Sequence, residues 1–211
     1  MKTSMYRVAL IAVLAMALTP NLKAADSAER AGATRAKFEA LRVESAKIRN
    51  QILLTMEALK RLTVKGVELR PQFERFKDEL VKMEEDAKTA RNRADAMKDK
   101  GAASFQEWEK EVQAINNPDI RKEAEKRYAK RKKSYDKIHK AMQEAKAELV
   151  PFMSDLNDIR KLLDSELTEG TVSATKSTIR SADWHGEDVR DSLSDVEKEL
   201  DRVAADLAKY K

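Results

Sequence analysis

The run PDIRKEAEKRYAKRKKSYDKIHKAMQEAKAELVPFMSDLNDIRKLLDSEL, residues 118–167, decides the fold. Within it Tyr128, Tyr135, Ile138, Met142, Ala145, Leu149, Phe152, Leu156, Ile159 and Leu163 keep steps of three and four over five heptads, and Arg131 alone breaks the row. That spacing draws one apolar seam along a long helix. A seam of that length is not stable in water until other helices cover it. The chain is therefore expected to be all-α: an elongated antiparallel up-down-up-down four-helix bundle.

Three more helices are readable around this one. A first, over about 27–63, carries Phe38, Leu41, Ile48, Ile52, Leu59 and Leu62 on a heptad beat, with Ser45 and Thr55 as polar members. Gly66 and Arg70-Pro71 separate it from a second, over about 69–115, because proline fits only the first turn of a helix. The second seam is Phe73, Phe76, Leu80, Met83, Ala87, Ala90, Ala94 and Met97. It shifts by one past Gly101, to Phe105, Trp108, Val112 and Ile115. Asn117 can cap the third helix (118–168), with Pro118 at its first position and Asp119 favoured by the helix dipole. Gly170 is expected as a left-handed stop and Thr171 as the next cap. A fourth helix, over 171–209, follows with Val172, Ile179, Ala182, Val189, Leu193, Val196, Leu200, Val203 and Leu207. Gly186 lies on that last seam at a cost of ~1 kcal/mol relative to Ala.

Turns near 67, 117 and 170 make the four helices start and stop together, as an up-down-up-down bundle requires. The 109–125 hairpin overshoots by about eight residues per arm, ~12 Å at the helical rise, and should form a protruding tip between the second and third helices. At its base Phe105, Trp108, Tyr128 and Tyr210 are expected to gather. Pro151 should kink the third helix, with Trp184 and His185 packed around it.

The first residues read as an export signal. Lys2 and Arg7 precede the apolar run Val8–Leu18, Thr19-Pro20 breaks it, and Leu22-Lys23-Ala24 offers a cleavage site, so residues 1–24 are expected to be a leader and 25–211 a single helical domain. Eleven apolar residues are too few to span a bilayer of ~30 Å. The chain has no cysteine, which excludes lipid anchoring at the cut, disulfides and thiolate chemistry. The expected location is thus exported, periplasmic or extracellular, soluble and not lipid-anchored. The formal charge of +5 falls to +2 once Lys2, Arg7 and Lys23 leave with the leader, which removes most of the case for nucleic acid.

The segments Phe105-Gln-Glu-Trp-Glu, Asn117 with Arg121 beyond it, Tyr135, Met142-x-x-Ala145, Val150-Pro151-Phe152-x-x-x-Leu156 and the Asp-rich last helix form one pattern. Over about residues 100–207 it resembles an exported bacterial family of unknown function, helical and coiled-coil-like. Many members of that family look like lipoproteins, from which this sequence departs by lacking the cysteine. The resemblance implies fold and compartment and carries no catalytic residues.

Catalytic chemistry finds no footing. Asp136-x-x-His139 is a lone carboxylate–histidine spacing, whereas bundle di-metal sites need two such pairs and two further carboxylates. His185 has Ala182 three residues before it. No serine sits in a strand-turn-helix elbow, and the glycines are isolated rather than gathered in a phosphate loop. Glu84-Glu85-Asp86 is expected on a solvated face. The reading is therefore not an enzyme, with no catalytic residues, no metal and no cofactor.

The sharpest electrostatic feature is the block Arg121, Lys122, Lys126, Arg127, Lys130, Arg131, Lys132, Lys133 and Lys137, nine cations against three acids. It is a candidate patch for anionic lipid, a polyanionic envelope component or an acidic envelope protein, with no nucleic acid expected. The competing reading is pairing within the bundle, to Glu107, Glu109 and Glu111 or to the acidic run 187–201, and it is the favoured one. Two functions follow: a non-enzymatic structural or interaction protein of the cell envelope, or a periplasmic holdase-like chaperone using the basic hairpin. Partner identity and oligomeric state are open.

Overall fold

The structure is a computed structural model and describes residues 27–208. The described chain is all-helical, with no strand. Its helices are α1 (Ser27–Arg61), α2 (Leu69–Gln113), α3 (Pro118–Ser165), the short α4 (Glu169–Ala174) and α5 (Lys176–Ala208). The leader expected over 1–24 and Tyr210 lie outside the described residues.

The helix ends have identifiable chemical causes. α1 closes in tightened turns, with Thr63 Oγ1 donating to the Lys60 carbonyl at 2.8 Å. Gly66 then takes the left-handed conformation at φ 80°, which a Cβ would disfavour. Pro71 sits in the first turn of α2, where its missing N–H costs nothing. Asn117 caps α3: its Oδ1 accepts from the Asp119 and Ile120 amides at 3.0 and 3.1 Å, and Pro118 is the first helical residue.

The junction after α3 departs from expectation. Gly170 is not a left-handed stop; it lies inside α4 with a negative φ. The cap is Thr168, extended at φ −129° and ψ 161°, whose Oγ1 accepts from the Thr171 amide at 3.1 Å. A hydroxyl two residues earlier already satisfies the orphan Thr171 amide, which leaves the glycine free to be helical. The expected fourth helix is also divided at Thr175, which is buried with its hydroxyl donating to the Val172 carbonyl at 2.8 Å.

The described chain divides into two compact units, each drawing segments from α1, α2, α3 and α5. One comprises residues 45–91 and 143–194. Its core joins Ile48, Ile52, Leu59, Phe73, Phe76, Leu80, Leu149, Phe152, Leu156, Ile179 and Val189. Ser45 and Thr55, the polar members of the first seam, are buried and satisfied, donating to the Leu193 and Gln51 carbonyls. Gln51 donates to the Glu79 carboxylate at 2.8 Å, and this bond, with help from Lys82, holds that carboxyl below its ordinary range. Asp86 is not solvated as expected: it is 8% exposed and holds Lys47 at 2.6 Å. Gly186 packs where a Cβ would stand 3.1 Å from both Ile52 Cγ2 and Phe152 Cε2, which explains a glycine on that seam. His185 Nδ1 meets Asp155 Oδ2 at 3.2 Å, and Trp184 beside it is 61% exposed. α3 continues as helix through Pro151.

The other unit comprises 92–142 with the outer parts of α1 and α5. Leu41, Phe105, Trp108, Val112, Tyr135, Ile138, Ala141, Val196, Leu200 and Val203 form its core. Glu44 and Arg93 pair within it, and Arg42 reaches Asp201 at 3.3 Å.

Candidate functional site

The basic block occupies the first five turns of α3, which packs by Tyr128, Tyr135 and Ile138. Phe105 is the hub of that contact. Its ring lies 4.8 Å from Tyr135, 5.8 Å from Trp108 and 6.0 Å from Tyr128, with Trp108 and Tyr128 edge-on at 5.3 Å. Three of the four expected aromatics therefore meet, joined by Tyr135. Gly101 permits the approach: a Cβ there would overlap the Tyr135 ring. Heptad spacing alone does not reveal this, because it shows which residue is on a seam but not which ring stands opposite.

Burial pushes the Tyr135 phenol above its ordinary value, with Asp136 and Asp99 adding to the rise, and burial followed by Glu109 does the same for Tyr128. An unfolded tyrosine ionises near 10, so this stabilisation is complete below that pH and is lost as pH climbs through the raised folded values.

The structure divides the nine cations. Arg121 is half-buried and acts on the turn, its Nε donating to the Ile115 carbonyl at 2.7 Å. Arg131 and Lys132 are also half-buried. Lys132 pairs with Asp136 at 2.5 Å and lies 5.9 and 5.7 Å from the Phe105 and Tyr135 ring centres. The remaining six, Lys122, Lys126, Arg127, Lys130, Lys133 and Lys137, are exposed. Among these, Lys126 and Arg127 approach Glu123 at 3.7 Å on their own helix, and Lys137 reaches Glu199 of α5 at 3.5 Å. The two Glu123 pairs are exposed and worth ~0–1 kcal/mol each, whereas Glu199 is buried and is also held by Arg202 at 2.9 Å.

Asp136 and His139 do not converge. Asp136 turns to Lys132, while the His139 ring stacks on Tyr135 at 5.8 Å. Among the described residues no group of three His, Asp or Glu side chains is placed to hold a metal ion. What the arrangement can do chemically is attract anions along an exposed helix whose inner face is locked by aromatic packing.

No curated protein and no solved structure matches the chain. A family model described as "Protein of unknown function (DUF2959)" matches residues 25–207, so its reach extends through α1 and most of α2, beyond the resemblance over 100–207. The matched span takes in both units and the basic block, and on that coverage the chain belongs to the DUF2959 family of proteins of unknown function.

Proposed function

We propose that this is a non-enzymatic, exported interaction protein of the bacterial cell envelope, whose α3 basic segment engages a partner. The observation that carries the reading is the exposure of Lys122, Lys126, Lys130, Lys133 and Lys137 beside a rigid aromatic anchor. Export is supported by the Lys2–Ala24 leader pattern and by a family match that starts at Ala25. Among the described residues no helix is long and apolar enough to cross a membrane.

The scaffold is read as an up-down-up-down bundle with a protruding α2–α3 tip. Contact registers support it. Lys47 meets Asp86 while Gln51 meets Glu79, and Gly186 lies by Phe152 while His185 meets Asp155. Each pairing descends one helix as it climbs the other. A holdase role is less well supported, since Val112 is buried and Ile120 is the large apolar residue exposed near the tip.

The test is recovery of envelope partners by the intact chain and by a variant with Lys122, Lys126, Lys130, Lys133 and Lys137 changed to Gln. Loss of the partner with the variant is expected. Recovery of the same partners by both would remove α3 from the reading.

A further inference from the structure

Lys122, Lys126, Lys130, Lys133, Lys137 and Lys140 succeed one another on α3 at steps of four, four, three, four and three. At about 100° per residue the six fall within ~80° of each other, on the face opposite Tyr128, Tyr135 and Ile138. All six are exposed. They form a single file ~27 Å long, with one ammonium every ~5 Å along the helix. An ordinary solvated face mixes its signs; the outward row of α5 reads Arg180, Trp184, Glu187, Asp191, Asp195 and Lys198. The α3 row has no acid between Asp119 and Glu144.

The row is also narrow. Glu123 borders it on one side, and Glu125 and Asp136 on the other. A groove of about 570 Å³ runs beside it, lined by Tyr128, Lys132, Lys133, Asp136, Lys137 and Lys140, with Asp136 paired to Lys132. Tyr128 and Tyr135 are on the inner face, so no ring stands on the row to stack a base.

We infer that this row binds a linear polyanion of phosphate type laid along α3, an inference that rests on the proposed role of the basic segment and names its partner. A chain of anions meets the lysines in single file without meeting the flanking acids. A planar anionic membrane pressed onto the row would approach the flanking acids on both sides as well as the lysines. Lysine, a hydrated point charge without a fixed fork, suits a repeating flexible anion better than one rigid group.

The experiment titrates the full chain with long-chain inorganic polyphosphate, with tripolyphosphate and with anionic phospholipid vesicles, over a range of salt. Long-chain polyphosphate should bind best, and log K should fall against log salt with a slope of about −4, roughly 0.7 for each of six contacts on a single-stranded polyanion. The triple variant Lys126→Gln/Lys133→Gln/Lys137→Gln should halve that slope and weaken binding ~100-fold at 0.1 M salt. A control with the same loss of charge, Lys65→Gln/Lys88→Gln/Lys161→Gln, should change it less than threefold. Circular dichroism checks that both stay helical. Equal weakening by the two variants would reduce the effect to net charge and overturn the row. Vesicle binding without polyphosphate binding would overturn it too. If polyphosphate binding is absent but the five-lysine variant still loses its envelope partner, only this inference fails; if polyphosphate binds the row but envelope recovery is unchanged, the broader functional reading fails instead.

Discussion

Phe105→Ala is expected to lower stability by ~3–5 kcal/mol, the range for removing a fully buried aromatic ring. Phe105 is 1% exposed and is the ring that Trp108, Tyr128 and Tyr135 share. Its loss opens a void that none of the three can fill without moving α3. The readout is direct, because the two tryptophans differ: Trp108 is buried and Trp184 exposed. In a Trp184→Phe background, emission reports Trp108 alone. The urea midpoint should drop and the native emission should move toward the red. A stability change below about 1 kcal/mol would mean that α2 and α3 do not depend on this cluster.

The second large effect concerns the Glu44–Arg93 pair. The Arg93 side chain is 10% exposed and Glu44 21%, so both charges have lost most of their water. Removing Glu44 takes the ion-pair partner from a guanidinium that has lost most of its water, and Glu44→Ala should cost ~3–5 kcal/mol. Replacing both with apolar residues of similar volume, Glu44→Leu/Arg93→Met, should be close to neutral, because the desolvation penalty goes with the pair. The double variant is thus expected to be more stable than Glu44→Ala alone, which denaturant midpoints will show. Costs that simply add would contradict a coupled buried pair.

Much of the scaffold could be read from spacing. Steps of three and four placed the four long helical stretches, and Pro118 and Gly66 marked breaks that the structure keeps, because backbone constraints at those residues act locally. Readings that depended on a neighbour were less secure. Gly170 has the composition of a helix stop, yet the Thr168 hydroxyl starts α4 before it. Asp86 sits in a charged run and reads as solvated, but Lys47 of α1 covers it. Nothing in the row around Gly101 announces that the Tyr135 ring occupies its missing side chain.

The basic block was legible as a count of charges, and its division was not. Arg121 was legible only as a cation; its bond to the Ile115 carbonyl closes the turn. Lys140 lies outside the block when it is bounded by charge density and joins it when helical phase is followed. The phase follows from the inner face, which Tyr128, Tyr135 and Ile138 set by packing.

The account depends most on neighbouring long helices lying antiparallel at stated levels. The absence of cysteine makes this testable with introduced thiol pairs and a short bifunctional maleimide, scored on products that keep the mass of a single chain. The pairs Lys77→Cys/Asp164→Cys and Lys60→Cys/Asp183→Cys replace ion pairs at 3.7 and 2.6 Å and should cross-link within one chain. Lys47→Cys/Asp183→Cys, displaced ~20 Å along α1, should not. Cross-linking of the displaced pair, or failure of both level pairs, would contradict the bundle.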